Sequence, residues 1–271
     1  MPNIVLSWTG FLRGRLFCPH KRGTDGATMM RTESRTGFNL IELAVVTAVV
    51  LSAAVIFYRN YNRAIMRSLI ESASERGRDL YRAISEANAE RARTGLSPVW
   101  PVDTAGNGRP GNAEFDFKNS TDYFRHLIGD GICRGVGYDC LAAGGITTCL
   151  NGHLTSSNNM WTVVKNYRST APDTLPILVT RNLDLSVLVA RRKGAIRDRN
   201  LCFLPGDDWP FGRGDCLVIR KGGSAFWAHG RSLTFASLFG PDFDADAYNK
   251  AGLQPLKYLT PRREVVPVLE P

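Results

Sequence analysis

Between Phe38 and Tyr58 the chain runs through 21 residues that carry one charge, Glu42, and Val, Ile, Leu and Ala dominate the run. As an α-helix rising ~1.5 Å per residue, such a segment is roughly 31 Å long, about the hydrocarbon thickness of a bilayer. No other segment approaches that length without charge. The run therefore predicts a single membrane span, with a helix buried in a soluble core as the lesser alternative. A charge in a span costs roughly 2.5 to 3.5 kcal/mol at mid-bilayer and less near an end, so Glu42 calls for a cation.

The residues that open the run are Gly37-Phe38-Asn39-Leu40-Ile41-Glu42, preceded by a basic segment. This pattern resembles the processing and assembly signature of type IV pilins and type II secretion pseudopilins. In that family a basic leader ends in Gly, cleavage falls before Phe, and Glu occupies the fifth mature position. The resemblance implies cleavage between Gly37 and Phe38 by a prepilin peptidase, N-methylation of Phe38, and a subunit-assembly role for Glu42. Cleavage there would leave the new α-amino group at a helix N-terminus, where the macrodipole disfavours positive charge and a nearby carboxylate offsets it. Phe38 and Glu42 are four residues apart and share a helix face. Two pairings stay open: neutralisation within one chain, or, as the resemblance implies, capture by Glu42 of the amine of the preceding subunit. The presence of Glu42 argues against the tip pseudopilin type that lacks this acid.

Residues 1–37 are then a leader. Met30 would give an eight-residue leader of the short kind common in the family, so residues 1–28 read either as a long leader or as a gene-model artefact. The apolar piece from Ile4 to Leu12 is too short and interrupted for a secretory signal. The net charge of +9 is partly a leader property, because Arg13, Arg15, Lys21, Arg22, Arg31 and Arg35 outweigh Asp25 and Glu33 by four, leaving +5 on the mature chain. No basic patch interleaved with aromatics stands out, so nucleic acid is not the expected partner. The leader cations favour a cytoplasmic N-terminus, whereas Arg59, Arg63 and Arg67 after the span pull the other way. The resemblance implies a single-pass inner-membrane protein whose C-terminal domain stands in the periplasm or in an extracellular filament.

Past the span the helix is expected to continue. From Phe38 to Thr94 there is no Pro, and Met66, Ile70, Ala73, Gly77, Leu80, Ile84 and Ala87 recur at spacings of four and three, an apolar stripe on an amphipathic helix. Gly77 lies on that stripe, where a missing side chain lets another backbone or side chain come close. Gly95 ends the helix, and Pro98 and Pro101 bar its resumption. The helix over 38–94 thus divides into a transmembrane first half, 38–58, and an amphipathic second half. Its first half lacks the helix-breaking Gly or Pro of some relatives, with Leu51 and Arg59 in those places.

Residues 95–271 make the exported globular domain. Ser120-Thr121-Asp122 opens a short helix through Ile128. Trp161–Val164, Pro176–Thr180 and Ser186–Val189 are strand candidates, Cys216–Lys221 and Ser224–His229 around Gly222-Gly223 form a hairpin, and Thr234 to Phe239 a helical turn. The predicted fold is α+β and pilin-like: one long N-terminal helix packed on a C-terminal antiparallel β-sheet domain. Several short stretches here also look like pseudopilin-type proteins, but nothing functional follows from them.

Cys133, Cys140, Cys149, Cys202 and Cys216 lie in this domain, and an exported domain in an oxidising compartment makes disulfides the default. Five is odd, so at most two intrachain bridges form, in any of 15 patterns. The Gly-rich stretch from Gly129 to Gly152, which holds three of these cysteines, is read as a stapled loop. Zinc is the alternative, but spacings of seven and nine lack the paired Cys-x-x-Cys of common sites. Asp242, Asp244 and Asp246 alternate as a weak calcium candidate. An EF-hand counted from Asp242 would want Gly and Glu where Ala247 and Leu253 stand, so a solvated acidic loop is the better reading. No other cofactor is expected. His126, His153 and His229 stand apart, with no catalytic motif around them, so no enzyme is expected.

These observations converge on a structural subunit of a type II secretion pseudopilus or type IV pilus. Its partners would be the prepilin peptidase, other pilin or pseudopilin subunits, an inner-membrane assembly platform and the lipid bilayer. A membrane-anchored periplasmic enzyme and a DNA-uptake pilin with a basic surface are the alternatives.

Overall fold

The computed structural model describes residues 39–103, 113–149, 152–183, 185, 211, 214–229, 233, 235–240 and 256–265. The chain divides into two compact units, Met1–Ser52 and Ala53–Pro271. Helix α1 runs unbroken over Leu40–Arg93, 54 residues. The absence of Pro permits that length, and no Gly interrupts it before Gly77. Its end is a Schellman motif. Gly95 takes φ +71°, Leu96 N–H donates to the Arg91 carbonyl and Gly95 N–H to that of Ala92. A left-handed residue is needed at that point, and glycine adopts it without a Cβ penalty.

The second unit is built on the apolar stripe. Ile70, Ala73, Gly77, Leu80, Ala83, Ile84 and Ala87 are the buried residues of α1, which adds only Ala83 to the face expected from spacing, while Met66 is partly buried. The stripe meets an antiparallel sheet of six strands: β1 Trp161–Lys165, β2 Pro176–Thr180, β3 Asp215–Arg220, β4 Ala225–His229, β5 Lys257–Leu259 and β6 Glu264–Val265. Their spatial order is β4-β3-β2-β1-β5-β6. Hairpin β3–β4 pairs Asp215 with His229 through Ile219 with Ala225, and its turn places Gly223 at φ +77°. Strands β1 and β2 are buried throughout, as befits the centre of a sheet, and neither alternates strictly between apolar and polar residues.

Gly77 fixes how closely helix and sheet approach. A Cβ there would stand 2.8 Å from Trp161 Cη2 and 3.0 Å from Ile219 Cδ1, so the β1 indole occupies the space a side chain would need. The same indole donates to the Cys140 carbonyl at 3.2 Å. Helix α2, Ser120–Gly129, is capped by Asn119, whose side chain accepts from Asp122 N–H. It is pinned to the sheet by Ser120 Oγ on the Trp161 carbonyl at 2.7 Å and Thr121 Oγ1 on the Pro261 carbonyl at 2.8 Å. A last short helix, α3, covers Phe235–Phe239.

Several expectations shift. The helix of 38–94 is described from Leu40 to Arg93, and β4 begins one residue later than expected. The span Gly129–Gly152 is not stapled among the described residues: no two of Cys133, Cys140, Cys149 and Cys216 are bridged. It is held instead by packing, with a 3₁₀ turn at Tyr138–Leu141 whose Cys140 and Leu141 are buried. Strand candidate Ser186–Val189 lies outside the described residues, as do Cys202 and the acidic loop Asp242, Asp244, Asp246. Strands β5 and β6 were not expected.

Candidate functional site

The first turn of α1 contains Glu42, the only charge of the apolar run. Its Oε2 accepts the backbone N–H of Asn39 at 3.1 Å, and Leu43 N–H donates to the Asn39 carbonyl. A Glu reaching back three residues to the N–H at the helix start is half of a capping box, and it satisfies a donor that the helix itself leaves orphaned. The carboxylate therefore points back toward the helix start, where the macrodipole favours negative charge. Gly37 and Phe38 lie outside the described residues.

Thr47 Oγ1 donates to the Leu43 carbonyl at 2.7 Å and Ser52 Oγ to that of Ala48 at 2.8 Å, so both hydroxyls are satisfied inside the helix. In hydrocarbon every polar group must be satisfied internally, and Thr47 and Ser52 meet that condition, whereas the Glu42 carboxylate still calls for a cation. Leu40, Ile41, Leu43, Val45, Val46, Val49, Val50 and Leu51 are all more than half exposed, except Val46 at 50%. No residue of the apolar window is buried. Beyond Ala53 the exposure continues through Val55, Ile56 and Phe57 to Tyr58 and Tyr61. Tyrosines beside Arg59 and Arg63 are the amphipathic residues that settle at a membrane boundary.

Elsewhere the chemistry is local. His126 Nδ1 lies 2.6 Å from Asp130 four residues on, and His229 Nδ1 lies 2.5 Å from Asp215, its cross-strand neighbour. Burial pushes the Cys133 thiol up to about 12, and it does the same to Cys140, with the Asp139 carboxylate adding to the effect there. Such thiols are poor nucleophiles and poor ligands at neutral pH. No group of three metal-ligating side chains occurs among the described residues. A groove of about 290 Å³ lies between α1 and the loop after α2 and is lined by Arg76, Arg82, Arg134, Asp79, Glu86 and Asp139. Arg76 donates to the Asp139 and Ala142 carbonyls, while Arg82 at 3.3 Å from Asp79 and Arg134 at 4.0 Å from Glu90 remain mostly exposed.

Of the residues singled out in the sequence, Glu42 lies in the first turn of α1, among exposed apolar residues. The described cysteines are dispersed between the loop after α2 and β3. The chain matches no protein-family model, and comparisons with curated proteins and with solved structures return no match.

Proposed function

We propose that this chain is a prepilin-type structural subunit. On this reading it is inserted in the inner membrane, cut between Gly37 and Phe38, methylated on Phe38, and polymerised into a secretion pseudopilus or type IV pilus. The observation that carries the reading is the beginning of α1: a helix of apolar residues, none of them buried, whose single acid turns back to its N-terminal end. An exposed apolar surface of that extent needs lipid or other apolar helices around it. The same segment would meet the first need as an anchor and the second as the core of a filament. Glu42 would give the exchange its direction, because an acid left without a cation in the membrane gains most from the free α-amine of a neighbouring subunit. The domain that follows α1 would then decorate the filament surface.

Mass spectrometry of the N-terminus of protein extracted from membranes of the native host tests the reading. The expected first residue is methylated Phe38. An intact leader, in cells with an active prepilin peptidase, would overturn it.

A further inference from the structure

Where the apolar run ends, one face of α1 becomes basic. Arg59, Arg63 and Arg67 follow Tyr58 at intervals of four residues, and the helix is continuous through them. Four residues advance an α-helix by about 40° beyond a full turn, so the three side chains leave the helix within a sector of roughly 80° and over an axial length of ~12 Å. All three residues are exposed. No acid occurs between Glu42 and Glu71, so Arg59 and Arg63 have no carboxylate within two turns of helix, and none of the three makes an ion pair among the described residues. Like charges four apart on a helix repel one another, and an anionic surface along that face offsets the repulsion.

We propose that Arg59, Arg63 and Arg67 bind the phosphate headgroups of anionic phospholipids in the leaflet where the apolar run leaves the bilayer. The inference rests on the reading of that run as a membrane span; it does not depend on cleavage, methylation or filament assembly. Position is the first argument. The headgroup layer adds roughly 5 to 8 Å on each side of the hydrocarbon core, and Arg59 is the first residue after the run. Side chains of an α-helix lean toward its N-terminus, which here is the direction of the span, so the long stems of Arg63 and Arg67 carry their charge back toward the same layer. Chemistry is the second. The planar guanidinium fork takes two phosphate oxygens at once, where an ammonium offers a point charge. Tyr58 and Tyr61, both exposed, flank Arg59 with rings that suit the same boundary.

Continuity with the exposed apolar surface favours lipid over other anions. The face begins one residue beyond a segment that needs hydrocarbon around it, so headgroups are the anions already at that level. A second copy lying parallel at the same depth brings no carboxylate there, because its own α1 has none between Glu42 and Glu71. Attraction of a basic side chain to an anionic membrane surface is worth roughly fivefold in association per residue near the surface, and it fades over a screening length of ~8 Å at physiological salt. Bound headgroups on this face would fix the depth of the helix and resist its withdrawal from the membrane.

Electron paramagnetic resonance of the full-length protein in phosphatidylcholine vesicles tests the proposal, with a trace of spin-labelled phosphatidylglycerol or spin-labelled phosphatidylcholine as the probe. Phosphatidylglycerol should be preferred at the protein surface by about fivefold at low ionic strength, and the preference should shrink as salt is added. The triple variant Arg59→Gln, Arg63→Gln, Arg67→Gln, with its helicity checked by circular dichroism, should lose most of that preference. Arg78→Gln, Arg82→Gln, Arg134→Gln removes the same charge from exposed positions beyond the stripe and should keep it. Equal association of the two lipids with the wild type would overturn the proposal. An undiminished preference in the first variant, or an equal loss in both, would overturn the assignment to these three arginines. A dimer in neutral detergent that the first variant lacks, without lipid preference, would overturn it by giving the face to a second copy. Failure of the wild type to enter the vesicles would remove the membrane span and the lipid site together, whereas entry without preference removes the lipid site alone.

Discussion

Glu42→Ala removes the one carboxylate of the apolar run together with its hydrogen bond to Asn39 N–H. Loss of that single exposed cap is worth about 1 kcal/mol to the helix start, too little to unfold a helix of this length. Insertion becomes easier, because an acid no longer enters the bilayer. The variant should therefore accumulate in the membrane at wild-type levels and be absent from shear-released filaments; filaments containing it in wild-type amounts would remove Glu42 from assembly. A second residue-scale prediction concerns Asp103. Burial raises its pKa, but hydrogen bonds from Lys165, Lys257 and Asn166 outweigh that and hold it below the ordinary value of 3.8. An acid with a depressed folded-state pKa contributes stability that is fully present above its unfolded value and lost as pH falls toward the folded one. The melting temperatures of wild type and Asp103→Asn should thus differ most above pH 3.8 and converge below it. A constant gap across that range would show that the ionised carboxylate is not what stabilises the fold.

Helix α1 comes close to the sheet at Gly77. Gly77→Ala improves intrinsic helix propensity by about 1 kcal/mol. It also drives a methyl group to 2.8 Å from the Trp161 ring, which is packed in the sheet and donates to the Cys140 carbonyl. Overpacking of this kind costs typically 1 to 3 kcal/mol, so the net change should be destabilising, read as a lower melting temperature, while helicity by circular dichroism is retained. A rise in melting temperature would mean that the ring relaxes freely. The stripe that carries Gly77 was legible in the sequence because helix periodicity repeats over seven positions. The β3–β4 hairpin was legible because both strands and their Gly-Gly turn are adjacent. Strands β5 and β6 were not, for they are two or three residues long and β5 pairs with β1 almost a hundred positions away. Glu42 stood out as the lone acid in an apolar run. The ion cluster around Lys165 did not, since Asp103, Asp116 and Lys257 come together there only once the sheet is assembled.

At the scale of the whole molecule, apolar exposure is unevenly distributed along the chain. Large exposed apolar side chains are dense from Leu40 to Tyr61, whereas after residue 64 they are reduced to Ile65, Leu69, Leu96 and Trp227 among the described residues. Scattered single residues of that kind are ordinary on a soluble surface; a continuous run is not. The unit from Ala53 onward also holds the buried cluster of α1, α2 and sheet residues, so its core does not draw on the apolar run. A fragment of residues 64–271 should therefore be soluble without detergent, sediment as a monomer, and unfold in one cooperative transition. The processed chain from Phe38 should require detergent or enter filaments. The fragment also tests the DNA-uptake alternative, because it carries the exposed arginines of the α1 groove, Arg82 and Arg134. Retarded DNA in a gel-shift assay at moderate salt would restore that alternative. Aggregation of the fragment in the absence of detergent would mean that membrane affinity is not confined to the first turns of α1, and the division of labour between anchor and domain would fail with it.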